Sequence, residues 1–181
     1  MLESNNQNFN HLKIHTQYSI CEGAIKIDNL KDFCKENKIP CLGLSDTSNL
    51  CGALEFAENI SKVGTQPIIG TQIFFRFEDT TGLLPLIALN KKGYKRIIEL
   101  SSKSYLENDA LSDPHLDINE LLRDTEGVLL LSGTIQGLFG KLFQKGRLEE
   151  ITKLYKNLLS KFHNNFYLEI QRHGDQNEIA F

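Results

Sequence analysis

A chain of 181 residues, 40% hydrophobic and 24% charged, has the make-up of one globular domain, which excludes a disordered, collagen-like or coiled-coil chain. Its 20 Lys+Arg against 23 Asp+Glu leave a net charge of -3, whereas a chain that grips nucleic acid unaided carries a basic excess. No apolar run approaches the roughly 18 residues of a membrane span, and the opening residues have neither a basic nor an apolar leader, so the expected location is cytoplasmic.

Residues 1–8 read as a polar tail. The alternation of Phe9, His11, Leu12 and Ile14 predicts a first strand over Phe9–His15. Asp28 stands where a cap belongs, ahead of a helical stripe of Leu30, Phe33 and Cys34 that fades by Asn37 and meets Pro40. Cys41–Ser45 predicts a short buried strand stopping at Asp46, and Asn49 is placed to cap a helix carrying Leu50, Leu54, Phe56, Ala57 and Ile60. Strands follow over Ile68–Phe77 and Leu83–Leu89, then a helix from Lys91 to about Leu106 and a polar loop over residues 107–115. Val128–Ser132 predicts a strand, Glu149–Phe162 an amphipathic helix and Phe166–Gln171 a last strand. Strands alternating with helices predict a parallel α/β sheet, either open and doubly wound or closed as a barrel. Cys21, Cys34, Cys41 and Cys51 form no Cys-x-x-Cys pair and read as small core hydrophobes.

In parallel α/β folds reactive groups gather at the carboxyl ends of strands. The first predicted strand offers His11, Lys13 and His15 there, the second Asp46 and Thr47, the third Gln72, and the last Glu169, Gln171 and His173. On pattern alone this is a polar rim. Gly133, Gly137 and Gly140 lack the Gly-Lys-Ser/Thr of a phosphate loop and read as a turn and a tightly packed helix start. Lys91-Lys92 and Lys95-Arg96 read as a solvated helix face.

Longer blocks carry more information. Phe9–Ser19, Leu44–Ala53, Gln66–Gly70, Leu86–Asn90 with Gly93-Tyr94, Gly127–Gly133 and Phe166–Gly174 together resemble, in order, the amino-terminal PHP (polymerase and histidinol phosphatase) domain of bacterial replicative C-family polymerases, the DNA polymerase III alpha subunits. The resemblance implies a PHP-type distorted (β/α)7 barrel over residues 9–181. That barrel is expected to be incomplete, because a further Asp-x-His block would lie beyond Phe181.

The resemblance also implies a metal-binding pattern. Its opening His-x-His falls on Lys13 and His15, its Asp-His on Asp46 and Thr47, an acid on Gln72, a His on Leu83, a Cys on Thr134 and a late His on His173. Only His15, Asp46 and His173 keep ligand chemistry. A hydrolytic cluster needs several carboxylates and imidazoles to hold two or three cations. A lysine in their place opposes each unit of cation charge by about 4 kcal/mol at ~4 Å. The expectation is a degenerate site with no catalytic residue and no cofactor, in which the Lys13 ammonium takes the cation's place and pairs with Asp46.

By the same resemblance the parent protein is a DNA-directed DNA polymerase, a Mg2+-dependent nucleotidyltransferase of DNA replication. This portion would support the rest of the alpha subunit and dock the proofreading exonuclease subunit, with primer-template DNA and sliding clamp engaged through the parent and no membrane partner. The alternative is a metal-dependent phosphoesterase, a 3′-5′ exonuclease or pyrophosphatase, working through His15, Asp46 and His173.

Overall fold

The computed structural model describes residues 9–108, 112–171 and 174, so the predicted tail 1–8 lies outside them. The elements run α1 (Ile27–Asn37), β1 (Cys41–Thr47), α2 (Ala53–Ser61), β2 (Gln66–Phe77), β3 (Thr80–Ala88), α3 (Lys91–Leu106), β4 (Leu116–Asp117), α4 (Ile118–Arg123), β5 (Val128–Leu131), α5 (Leu138–Gln144), α6 (Leu148–Phe162), a 3-10 turn (His163–Asn165) and β6 (Phe166–Tyr167). One sheet orders them β1-β2-β3-β5-β6, with β4 on the side of β2. Among the described residues the sheet does not close, as an incomplete barrel requires.

The sheet is mixed, which corrects the all-parallel expectation. β2 and β3 form an antiparallel hairpin pairing Gly70 with Ile87 through to Phe77 with Thr80, and β3 also runs antiparallel to β5. The hairpin turns on Glu78 and Asp79, with Glu78 in the left-handed region at φ 54°. Glutamate is an unusual residue at that φ, and Asp79 without a following glycine is only a weak turn signal. Parallel pairing holds between β1 and β2 and between β5 and β6.

The predicted first strand is present only as an irregular edge. Ile14 bridges Leu44 in parallel, and three backbone bonds tie the segment to β1: Gly43 N to His11 O at 2.7 Å, Ile14 N to Gly43 O at 3.1 Å and Ser45 N to Ile14 O at 2.8 Å. The approach is close enough that a Cβ on Gly43 would strike the Leu12 backbone, which is why glycine stands there. At the other side of the sheet, the strand expected over Phe166–Gln171 shrinks to Phe166–Tyr167.

Two helix starts also differ from expectation. Asp28 sits inside the first turn of α1, where a carboxylate favours the positive helix end, and Lys26 is the cap. Asn49 accepts from Cys51 N at 3.0 Å, closing a turn ahead of α2, whose cap is Gly52. Asn90 does cap α3, accepting from Lys92 N at 2.9 Å and Gly93 N at 3.0 Å.

Burial divides into two clusters. Leu42 and Leu44 of β1 pack with Ile27, Leu30 and Cys34 of α1 and with Phe56 and Ile60 of α2. Ile73, Phe75, Leu84, Leu86, Val128 and Leu130 form the larger cluster, covered by α3, α4, α5 and α6. Cys34 is buried as expected, but Cys21 and Cys51 are exposed. Arg96 is not on a solvated face: it is 6% exposed and joins Glu99, Glu120 and the Asp124 carbonyl, knitting α3 to α4. No helix of the described residues is long and apolar enough to cross a membrane.

Candidate functional site

The polar residues at the carboxyl end of β1 divide between the two faces of the sheet, because side chains alternate along an extended chain. Ile14 lies beside Leu44 and packs with the helix-covered cluster. This register puts Thr16 on the face of Leu44 and Asp46. Lys13 and His15 go to the opposite face, with Ser45 and Thr47.

On the first face Asp46 is fully buried and its carboxylate is filled by neutral donors. Thr16 N donates to Oδ1 at 2.6 Å, the Thr16 hydroxyl to Oδ2 at 2.8 Å and the Ser19 hydroxyl to Oδ1 at 2.7 Å. Thr47 N in turn donates to the Ser19 hydroxyl at 3.1 Å, and Thr71 donates to the Asp46 carbonyl at 2.6 Å. Asp46 therefore fastens the loop after Thr16 over the end of β1. Thr16 and Ser19 are themselves fully buried. Sequence reasoning missed this role, although a Thr and a Ser three apart after a strand are the donor types a buried carboxylate needs.

On the second face Lys13 Nζ lies 3.1 Å from Glu169 Oε1, with the two side chains 15% and 11% exposed. The expected Lys13–Asp46 pair does not form, and the register gives the reason: the two side chains leave the sheet on opposite sides. Gln171 Nε2 donates to the same Glu169 oxygen at 2.7 Å, and Glu169 N donates to the Ser132 hydroxyl at 2.9 Å. Thr47 donates to Glu22, and Gln72 Nε2 donates to the Thr47 hydroxyl at 2.7 Å, in keeping with the pairing of Thr47 with Gln72. Glu22 and Glu169 complete this face, and neither is part of the ligand pattern implied by the resemblance.

His15 sits among these charges. Burial pushes its imidazole below its ordinary range and the Lys13 ammonium adds to that, against smaller upward pulls from Glu22, Asp46 and Glu169. The neutral ring is favoured. Among the described residues His15 Nδ1, Ser45 Oγ and Glu169 Oε2 are buried without a hydrogen-bond partner. Two of them, His15 and Ser45, share the Lys13 face by this register.

Leu83 and Thr134 belong to a different junction. Leu83 of β3 lies opposite Phe74 and bridges Gly137, and Gly137 N donates to the Thr134 carbonyl at 2.8 Å. Gly133, with φ 76°, turns the chain there ahead of α5, the turn and helix start expected of these glycines. His173 lies outside the described residues.

Among the described residues, which do not include His173, the donors do not fit a hydrolytic metal cluster. Asp46 already accepts three hydrogen bonds, Gln72 and Thr47 are neutral, Glu22 accepts from Thr47, and the Lys13 ammonium sits on Glu169. Among the described residues no three His, Cys, Asp or Glu side chains converge on a common point. The cleft beside them, about 740 Å³, runs between the edge segment and the β5–β6 side and is lined by Leu12, Leu129, Leu131 and Tyr167 as well as Lys13 and Glu169.

Known proteins share this arrangement of sequence and fold. The pattern of the PHP domain matches residues 11–173. The DNA polymerase III subunit alpha of Caulobacter vibrioides is 36% identical over 189 residues, covering 99% of this chain and 16% of that protein. The subunit of the same name from Borreliella burgdorferi is 35% identical over 177 residues, covering 92% and 15%. The chain thus spans about one-sixth of the length of the curated relatives it matches. A solved structure described as a metal-dependent phosphoesterase of Bifidobacterium adolescentis superposes with a TM-score of 0.58 at 13% identity, over 94% of this chain and 81% of that one.

Proposed function

Because the chain belongs to the PHP domain family, we propose that it is the PHP portion of a replicative DNA polymerase III alpha subunit and that its own strand-end site does no hydrolysis. The observation that carries this reading is the Lys13 ammonium on Glu169, in the position where the family pattern places a metal-binding imidazole. A fixed cation there repels a divalent ion, and the remaining carboxylate at Asp46 has its donors already. The parent would transfer nucleotides from dNTPs to a primer with Mg2+, using residues outside this chain. This module would support the polymerase and dock its proofreading exonuclease subunit, in the cytoplasm, with primer-template DNA and sliding clamp reached through the parent. Similarity to polymerase alpha subunits along nearly the whole chain supports that placement.

The test is metal analysis of the chain purified without chelator, with 3′-5′ exonuclease and pyrophosphatase assays in Mn2+, Zn2+ and Mg2+. Less than a tenth of an equivalent of metal and no turnover are expected. Two ions per chain with hydrolysis would establish the phosphoesterase instead. Gel filtration with the exonuclease subunit tests the docking role, for which co-elution is the expected result.

A further inference from the structure

Among the described residues the N-terminal segment and the segment after β6 lie at opposite margins of the sheet, the first hydrogen-bonded to β1 and the second to Ser132, just after β5. Among the described residues no ladder joins them to each other. One charged contact does. Lys13 and Glu169 are 156 positions apart and meet at 3.1 Å with both side chains largely withdrawn from water.

Each partner is held in place from behind. Ile14, next to Lys13, is bonded to β1 on both its N–H and its C=O. Glu169 is fixed through its N–H by Ser132 and through its Oε1 by Gln171. Ion pairs between exposed chains contribute little, because two long side chains must be ordered in high dielectric. This pair is better placed, since both backbones are already anchored and its side chains are only 15% and 11% exposed, so water screens it less. Glu169 Oε2 is buried without a hydrogen-bond partner among the described residues, and Oε1 would keep only the neutral Gln171 amide, so removing the ammonium would take away the cation that faces this carboxylate.

We propose that Lys13 and Glu169 form a clasp between the N-terminal segment and the segment after β6, in which a side-chain ammonium supplies the positive charge that holds the two together. The proposal rests on the reading of Lys13 as a resident cation, and deepens it by giving the residue a mechanical task.

A double-mutant cycle on the 181-residue chain tests it. Lys13→Met and Glu169→Met are each expected to lower Tm by about 5–10 °C, the lower part of the range for breaking a buried pair in a domain of this size, because the pair is partly exposed and Gln171 still donates to Glu169. Each is also expected to raise amide exchange about tenfold in both residues 11–16 and residues 167–170. The Lys13→Met/Glu169→Met chain should regain at least half of the lost Tm, and Lys13→Arg should retain most of it. Losses that simply add in the double variant, or exchange that rises only beside the substituted residue, would overturn the clasp. If the methionine variants do not fold, Glu169→Gln decides: faster exchange over residues 11–16 supports the clasp, and unchanged exchange refutes it. Metal analysis of the wild-type chain separates the two layers. Stoichiometric metal overturns the resident-cation reading itself, whereas a metal-free chain with an additive cycle overturns the clasp alone.

Discussion

Two regions of this molecule bury charge, and they do so differently. Between α3 and α4, Arg96, Lys103, Glu99, Glu120 and Arg123 form a network in which three of the contacts are one helical turn apart: Arg96–Glu99, Lys103–Glu99 and Arg123–Glu120. At the strand ends, Asp46 draws its donors from 27 and 30 positions away and Lys13 draws Glu169 from 156. The helical network stiffens elements that exist anyway, while the strand-end contacts decide where loops and margins lie. Buried charge at the second place therefore has a topological role, and losing it costs order at a distance.

The largest expected effect comes from Asp46→Ala, which strands the hydroxyls of Thr16 and Ser19 and the Thr16 N–H. A loss of about 3 kcal/mol is expected from three bonds to a buried carboxylate, or roughly 6–12 °C in Tm for a chain of this size. Amide exchange should quicken across residues 16–23. A melt unchanged within a degree or two would erase the contrast between the regions. Arg96→Met comes next. Glu120 keeps Lys103 and Arg123 as partners, so a smaller loss of about 2 kcal/mol is expected, below the range for a pair left with no substitute. Its exchange changes should stay within α3 and α4.

Acid sharpens the comparison further. Hydrogen bonding from Lys103, assisted by Arg123, holds the Glu120 carboxyl down to about 2 from an ordinary 4.5. Its folded value lies below its unfolded one, so its contribution is complete above about pH 4.5 and is lost as pH falls through about 2. Urea midpoints of the wild-type chain and Glu120→Gln should differ at pH 7 and converge toward pH 2.5. A constant gap would remove the charge explanation. The smallest effect is expected at Lys153, whose pair with Glu78 is 60% and 50% exposed. Lys153→Ala should shift stability by less than about 0.5 kcal/mol, and 0.5 M salt should abolish even that.

Much of the architecture was legible because strong apolar periodicity writes itself locally. α3 and α6 match their predicted spans to within a residue, and β1 differs only in running on to Thr47. The hairpin direction was not legible, since Glu78-Asp79 lacks the glycine or asparagine of a tight hairpin turn and Asp79 alone is a weak signal. Short α4 and two-residue β4 are too brief to show a period. At the site, resemblance singles out Lys13, His15, Thr47 and Gln72, and the register puts these four on one face of the sheet. The pairing was not readable. Which face Asp46 takes depends on the Ile14–Leu44 register, and a shift of one position would have exchanged the two faces.

The distance in sequence between Lys13 and Glu169 sets an order of events during synthesis. A ribosome adding about 5–20 residues per second needs roughly 8–30 s to bring Glu169 out after Lys13. The early segment can settle on β1 within a fraction of that time, because Gly43 follows it closely. For the rest of the interval its ammonium faces solvent, and the nascent chain waits with one border unfastened until its counter-charge emerges.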